Sequence, residues 1–170
     1  MSDCTKCMLL LPIKRVDKKG FTLIELLIVI AIIVILAVFG FSNYLNSIKS
    51  GKDGKRKTDL QTIQRALEAY YLDNQAYPAA VGNAVPNTGG AFCHPSGCAT
   101  ATYLQKLPTD TGGTAYYYIS AGPSYQLYSC IENANDSGPN VKQAGYAGTN
   151  CGSGSCNPCK YGIASTNTNP

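Results

Sequence analysis

The sequence predicts an α+β protein in which a long apolar helix leads into a small head with an antiparallel sheet. The first supporting observation is the almost unbroken apolar run that follows Phe21. The others are a helical stripe of apolar residues from Leu60 and two aromatic, β-branched stretches after Thr114. A chain of 170 residues suffices for one folded head and an appendage, but not for two well-buried cores.

The apolar run extends from residue 21 to residue 41 and is rich in Ile, Leu and Val. At 1.5 Å per residue, a helix of that length covers roughly 30 Å, the thickness of the hydrocarbon core of a bilayer. We therefore expect residues 21–48 to form a helix that spans a membrane. A secretory signal peptide has a shorter apolar core and a small-residue cleavage site after it, whereas Gly20 precedes this run.

Residues 1–20 form a basic leader that is predicted to lie in the cytoplasm. Five basic residues precede the span and five follow it in residues 49–57, so the positive-inside count does not decide the orientation. The leader charges lie closer to the apolar run, and the later cysteines favour an oxidising compartment, so we expect the C-terminal part outside. Without the leader, nine basic residues face eight acidic ones, which gives no reason to expect nucleic-acid binding.

An amphipathic helix is predicted over residues 49–77. Gly51 and Gly54 each disfavour helix by about 1 kcal/mol relative to Ala, so a kink or a partly melted turn is expected there. The helix is predicted to end in the DNQAYP stretch, because Asn74 tolerates the left-handed conformation and Pro78 disfavours helix before it. Its apolar side chains form one stripe that we expect to pack under the sheet: Leu60, Ile63, Leu67, Tyr70 and Tyr71.

The rest of the head is predicted over residues 78–170. Residues 79–102 are crowded with Gly, Pro, Asn, Ser and Thr and are predicted to be loop. Two strands are predicted from Thr114 and from Ser124, joined by AGP as a hairpin. From residue 133 the composition is too polar for a core of its own, so we expect disulfides to hold this tail.

Six cysteines follow the apolar run: Cys93, Cys98, Cys130, Cys151, Cys156 and Cys159. An even number in a Gly- and Ser-rich region predicts disulfides, although the sequence does not choose among the possible pairings. The spacing of the last three would also allow tetrahedral zinc with a fourth cysteine, but an exported chain favours disulfides. No cofactor and no resident metal are predicted, and the spacing of Asp110 and Asp136 supports calcium only faintly.

The stretch KKGFTLIELLIVIAIIVILA resembles the processing signal of type IV prepilins and of type II secretion pseudopilins. The matching features are the basic residues, Gly20, Phe21, Glu25 and the apolar helix. The resemblance implies that prepilin peptidase cleaves between Gly20 and Phe21, which removes the leader of residues 1–20, and methylates the new amino group of Phe21. It also implies that the helix of residues 21–48 forms the core of a filament. A second stretch, LQTIQRALEAYYLDNQAYP, is similar to the end of the long helix in pilins and major pseudopilins.

Glu25 is the one ionisable side chain in the apolar run after Phe21. A carboxylate in lipid costs about 2.5–3.5 kcal/mol on insertion scales, so a partner is expected. Cleavage creates an amino group at Phe21 whose reference pKa of about 7.7–8.0 leaves it largely cationic at neutral pH. We expect Glu25 of one subunit to meet the Phe21 amine of its neighbour, which sets the register of a bundle held together by apolar packing.

The expected function is that of a structural subunit of a type IV pilus. The precursor is expected in the cytoplasmic membrane, and the mature form as a homo-oligomeric filament at the cell surface, with prepilin peptidase and the assembly machinery as partners. The cysteine-rich extension suits an exposed filament and favours a pilus over the alternative, a type II secretion pseudopilin. A second alternative is a membrane-anchored enzyme or zinc-binding module, but no nucleophile and base can be assembled around His94, the only histidine.

Overall fold

A computed structural model describes residues 20–111 and 113–170, without the side chains of residues 39–43. The predicted leader, apart from Gly20, lies outside the described residues. The chain divides into two units, of which the second is Ser42–Pro170. The elements confirm the predicted α+β class: helix α1 (Leu23–Asn74), strands β1 (Phe92–Cys93), β2 (Thr102–Leu104), β3 (Tyr117–Ser120), β4 (Tyr125–Ser129) and β5 (Tyr161–Ala164), and a 3-10 turn over Gly154–Cys156.

Helix α1 continues through the two glycines that were expected to weaken it. Gly51 and Gly54 both have helical hydrogen bonding, so the predicted melted turn is not present at these positions. Asp53 and Arg56 lie on the same turns and are only 1% and 3% exposed. Because most helical stability in proteins comes from tertiary packing, these buried contacts outweigh the low helix propensity of glycine.

The helix ends within the predicted DNQAYP stretch, but its left-handed residue is Gln75 (φ 55°) and not Asn74. The side chain of Asn74 instead donates hydrogen bonds to the carbonyl of Tyr70 at 2.9 Å and to the hydroxyl of Tyr103 at 3.2 Å. The amide thereby links the last turn of α1 to strand β2.

The N-terminal part of α1 exposes its apolar side chains on all sides. From Phe21 to Val38 every large apolar side chain is at least 48% exposed. Within the part of the chain that the structure describes, no helix is both long enough and apolar enough to traverse a bilayer. The membrane span expected over residues 21–48 stays a prediction.

A three-stranded antiparallel sheet with the order β3–β4–β5 forms the centre of the head. Strands β3 and β4 form the predicted hairpin, in which Tyr117 faces Tyr128. Strand β5 comes from the tail, where no strand was predicted, and pairs with β4. Its side chains Tyr161 and Ile163 are 5% and 7% exposed, so the tail joins the core of the head and needs none of its own.

A second, two-stranded sheet pairs β1, which lies inside the predicted loop of residues 79–102, with β2, which begins at the last residue of that loop. Phe92 of β1 is 3% exposed and stacks on Tyr70 of α1, with ring centroids 5.4 Å apart. Tyr103 of β2 contacts Tyr70 edge-on at the same distance. Aromatic contacts with the helix therefore stabilise these strands despite the loop-like composition around them.

The apolar stripe of α1 packs into the core of the head, as predicted. Leu60, Ile63 and Leu67 are at most 2% exposed, and they form one cluster with buried residues of β3 and β4. Full burial of such a side chain stabilises a protein by about 1.5–3 kcal/mol. The stripe is core and not a ligand site.

All six cysteines after the apolar run lie in disulfides: Cys93–Cys98, Cys130–Cys156 and Cys151–Cys159. The first closes the turn between β1 and β2, the second joins the end of β4 to the tail, and the third closes a short loop that contains Cys156. Gly145, at φ 83°, lets Pro158 of that loop approach, because any Cβ would overlap the proline ring. The zinc alternative therefore has no free thiol among these six cysteines.

Candidate functional site

The predicted processing and assembly residues lie at the start of α1. Gly20 and Phe21 precede the helix, and Phe21 is 88% exposed. The backbone N–H and the hydroxyl of Thr22 donate hydrogen bonds to Oε2 of Glu25 at 2.8 and 2.7 Å. The N–H of Glu25 donates to Oγ1 of Thr22 at 3.3 Å, which completes a capping box. Thr22 was not predicted as a site residue, although T-x-x-E before an apolar run signals this motif.

The capping box gives Glu25 a partner inside its own subunit. All of its atoms belong to Thr22 and Glu25, on the C-terminal side of the Gly20–Phe21 bond, so the predicted cleavage leaves it intact. It holds the carboxylate at the end of the helix at which cleavage would create the amino group of Phe21. The pairing of Glu25 with the Phe21 amine of a neighbouring subunit stays a prediction.

Arg56 forms the centre of an ion network that joins α1 to the loops of the head. Its guanidinium donates to Asp53 at 2.8 Å, Asp110 at 2.7 Å, Glu132 at 2.6 Å and the hydroxyl of Thr111 at 3.0 Å. Burial by itself lowers the pKa of Arg56, but the hydrogen bonds with Glu132, Asp110 and Asp53 outweigh it and raise the pKa above its ordinary range. The guanidinium is therefore a permanent charge inside the head.

Asp53 connects the same turn of α1 to the chain that leaves β4. Its carboxylate accepts the backbone N–H groups of Glu132 at 3.0 Å and of Asn133 at 2.8 Å. Sequence reasoning missed both Asp53 and Arg56. The sequence did contain a signal, because Asp53 and Arg56 continue the helical spacing of the apolar stripe that begins at Leu60. Charged residues on the apolar face of a helix are expected to be buried.

The two candidate calcium ligands, Asp110 and Asp136, accept hydrogen bonds from basic side chains. Asp110 accepts from Arg56, and Asp136 accepts from Nζ of Lys57 at 2.6 Å. The hydrogen bond from Lys57 lowers the pKa of Asp136 from its ordinary value. Across residues 20–111 and 113–170, no group of three or more His, Cys, Asp and Glu side chains could hold a metal ion.

Tyrosine hydroxyls occupy the remaining carboxylates of the head. The donor tyrosines lie on strands β2 and β4, just before β3 and just after α1, the acceptor carboxylates lie on α1, and the oxygen-to-oxygen distances are 2.7–3.1 Å. These contacts are Tyr116 with Asp59, Tyr77 and Tyr125 with Glu68, and Tyr103 with Asp73. Together with the ion pairs, they give a close partner to each of the seven Asp and Glu side chains in residues 42–170.

Because the head contains several buried tyrosines, we expect it to lose stability at alkaline pH. Burial raises the pKa of Tyr118 to about 12, and burial and carboxylate contacts also raise the pKa of Tyr77, Tyr116 and Tyr125. In the unfolded chain the same phenols ionise near pH 10, so above about pH 10 the unfolded state binds fewer protons than the folded state. The free energy of unfolding then falls as pH rises toward the folded pKa values. We expect the urea midpoint, followed by near-ultraviolet circular dichroism, to decrease steeply above about pH 10.

The variant Tyr118→Phe tests this origin of the pH dependence. It should make the alkaline fall in unfolding free energy shallower by about 1.4 kcal/mol per pH unit, the contribution of one ionising group. Tyr44→Phe, which removes a hydroxyl from a residue that is 63% exposed, is the matched control. Identical alkaline slopes for Tyr118→Phe and the unsubstituted chain would contradict the prediction.

An N-terminal processing motif on an apolar helix, followed by a small α+β head packed on the C-terminal part of that helix, defines a subunit of the pilin and pseudopilin class. The chain also matches two family models. One is described as "Prokaryotic N-terminal methylation motif" and covers residues 15–41. The other is described as "Type II secretion system (T2SS), protein G" and covers residues 43–145, and the chain belongs to this family.

Individual relatives agree with the family model. The chain is 32% identical over 129 residues to the type II secretion system core protein G of Pseudomonas aeruginosa, covering 74% of this chain and 91% of that protein. It is 34% identical over 111 residues to the protein of the same name from Vibrio cholerae, covering 64% of this chain and 76% of that protein. No solved structure matches the chain significantly.

Proposed function

We propose that this protein is a structural subunit of a type II secretion pseudopilus, and neither an enzyme nor a surface pilus subunit. The observation that carries the proposal is the match to the protein G family over residues 43–145, preceded by the methylation motif over residues 15–41. The pseudopilin was the alternative in the sequence analysis, and the family match favours it over the type IV pilus subunit that was placed first.

The position of the tail removes the reason for preferring a pilus. The cysteine-rich extension was expected to suit an exposed filament, but its strand β5 completes the central sheet of the head. Cys130 and Cys159 are both 0% exposed. Two of the disulfides therefore stabilise the fold of the head itself, which a pseudopilin needs as much as a pilin does.

In the proposed pathway the apolar helix first holds the precursor in the cytoplasmic membrane. Prepilin peptidase then cleaves between Gly20 and Phe21 and methylates Phe21, and the subunit assembles with its copies through the N-terminal helix. The exposure of the apolar side chains from Phe21 to Val38 supports this step, because a bundle of like helices removes that surface from water.

Mass spectrometry of the protein purified from its own cells tests the processing step. We expect a mature chain that begins at Phe21 and carries one methyl group on its amino nitrogen. A working form that retains Met1 or Ser2 would contradict the proposal and would support a membrane-anchored protein of another class.

Deletion of the gene distinguishes a secretion pseudopilus from a surface pilus. We expect exported enzymes to disappear from the culture medium while surface fibres stay at normal abundance, and the intact gene to restore export. Normal export with loss of surface fibres would overturn the pseudopilus in favour of a type IV pilus. The two readouts are immunoblots of the medium and electron microscopy of the cells.

A further inference from the structure

Three lysines lie on successive turns of α1 where the head begins to pack on the helix. We call Lys49, Lys52 and Lys55 the lysine stripe. Their spacing of three residues places neighbouring members on adjacent turns of one helix flank. Among the described residues Lys49 forms no ion pair, and Lys52 and Lys55 approach carboxylates only at 3.9 and 4.0 Å.

The carboxylates near the lysine stripe have closer partners. Glu132, which Lys52 approaches, accepts a hydrogen bond from Arg56 at 2.6 Å. Asp59, which Lys55 approaches, accepts one from the hydroxyl of Tyr116 at 2.7 Å. The side chains of Lys52 and Lys55 are 42% and 61% exposed. The ammonium groups of Lys52 and Lys55 are therefore exposed to solvent and pair with these carboxylates only at long range.

The residues just before the stripe are apolar and exposed. Tyr44, Leu45 and Ile48 are 63%, 45% and 40% exposed, and Lys49 follows directly. Apolar side chains with a tyrosine, followed by lysines, form the pattern found where a helix leaves a bilayer, because the phenol sits at the headgroup level and long lysines reach outward to it.

A second copy of the head offers the stripe little negative charge. Each of the seven Asp and Glu side chains in residues 42–170 already accepts a close hydrogen bond within its own head. All of them except Asp73 are at least partly buried. These carboxylates are therefore poorly accessible to the lysine stripe of another head, which favours an anion outside the protein.

We propose that the lysine stripe binds the phosphate groups of anionic phospholipids at the membrane surface before the subunit enters the filament. This inference rests on the proposed membrane-anchored stage. Lysine ammonium groups act as point charges toward phosphate, and each contributes about fivefold to affinity for an anionic surface. The binding also explains why as many basic residues follow the predicted span as precede it. Arg56 and Lys57 pair with carboxylates of the head, and the three lysines of the stripe pair with lipid.

Amine labelling of the full chain in vesicles tests the proposal directly. Vesicles of phosphatidylcholine alone are compared with vesicles that contain about a third phosphatidylglycerol, and labelling at each lysine is read by peptide mapping. We expect labelling of the stripe to slow several-fold in the anionic vesicles and to recover in about 1 M salt, where screening is strong. Lys106, an exposed lysine between β2 and the core residue Leu107, should label equally in both. Equal labelling of the stripe in the two vesicle types would overturn the proposal.

A pair of charge-matched variants tests which basic side chains bind the anionic lipid. Lys49→Gln with Lys55→Gln should reduce retention of fluorescent phosphatidylglycerol by the purified chain in detergent by more than tenfold, from about fivefold per lysine. Arg65→Gln with Lys106→Gln also removes two exposed cations and should leave that retention unchanged. An equal loss in both variants would mean that net charge, and not the stripe, attracts the lipid.

Two further arms distinguish other sources of negative charge. If millimolar inorganic phosphate protects the stripe in detergent as well as the anionic vesicles do, the site takes free phosphate and the lipid proposal is wrong. If protection in phosphatidylcholine vesicles rises with protein density, another copy supplies the anion and the proposal is also wrong. Protected lysines together with normal export after gene deletion would refute the proposed function and leave the lipid site standing.

Discussion

Replacing Arg56 with Met is expected to lower the free energy of unfolding by about 3–5 kcal/mol, the range for breaking a buried ion pair from one side. The substitution leaves Asp53, Asp110 and Glu132 close together without their shared cation. Because domains are stable by only about 5–15 kcal/mol, this loss is a large fraction of the stability of the head. Urea, which is uncharged, is the suitable denaturant, and near-ultraviolet circular dichroism of the full chain in detergent follows the tyrosines of the head.

Arg65 provides the matched control on the same helix. Arg65 is exposed, and Arg65→Met should change the unfolding free energy by no more than about 0.5 kcal/mol. Arg56→Lys should give an intermediate loss, because one ammonium group cannot reproduce the forked geometry that reaches three carboxylates. Equal stability of the Arg56→Met and Arg65→Met chains would contradict the central role of this network.

Replacing Glu25 with Gln is expected to abolish filament assembly while the subunit is still processed and folded. Gln can keep the capping box with Thr22, because its side-chain oxygen still accepts the hydrogen bonds of the helix start. It carries no charge to pair with the Phe21 amine of a neighbouring subunit. Filaments sheared from overproducing cells are quantified by immunoblot, and mass spectrometry of the N-terminus reports processing.

The two roles of Glu25 separate in a companion variant. Thr22→Val removes the capping hydroxyl and weakens the helix start by about 1 kcal/mol, but it leaves the charge of Glu25 in place. We therefore expect fewer filaments from Thr22→Val and none from Glu25→Gln. Normal filaments from Glu25→Gln would show that the residue acts through the cap alone and that the pairing between subunits is wrong.

The sequence predicted those parts of the fold whose pattern is local. The α1 stripe has helical spacing, and the hairpin of β3 and β4 alternates aromatic residues around a short turn, so both could be read without knowing their partners. Strands β1 and β5 could not be predicted in this way. Phe92 is buried because it meets Tyr70 of the helix, and Tyr161 because it joins a sheet that begins far earlier in the chain. Contacts distant in sequence carry no local signal.

In the candidate site, too, only the residues that belong to a local sequence pattern could be predicted. Gly20, Phe21 and Glu25 were predicted because they belong to one short motif, and the capping residue Thr22 could have been found from that motif as well. The Arg56 network draws its carboxylates from α1, from the loop after β2 and from the chain after β4, so its members are neighbours only in the folded head. The lysine stripe could not be recognised either, because the long distances from its lysines to the nearby carboxylates depend on residues such as Tyr116, which bind those carboxylates only in the folded head.

The order of the last four cysteines has a consequence for proteolytic cleavage. Cys156, the partner of Cys130, lies inside the loop that Cys151 and Cys159 close. A single cut anywhere between residues 130 and 159 therefore leaves at least one disulfide across the break. A nicked subunit would keep β5 covalently attached beside β4, and its two fragments would separate on a gel only after a reducing agent is added.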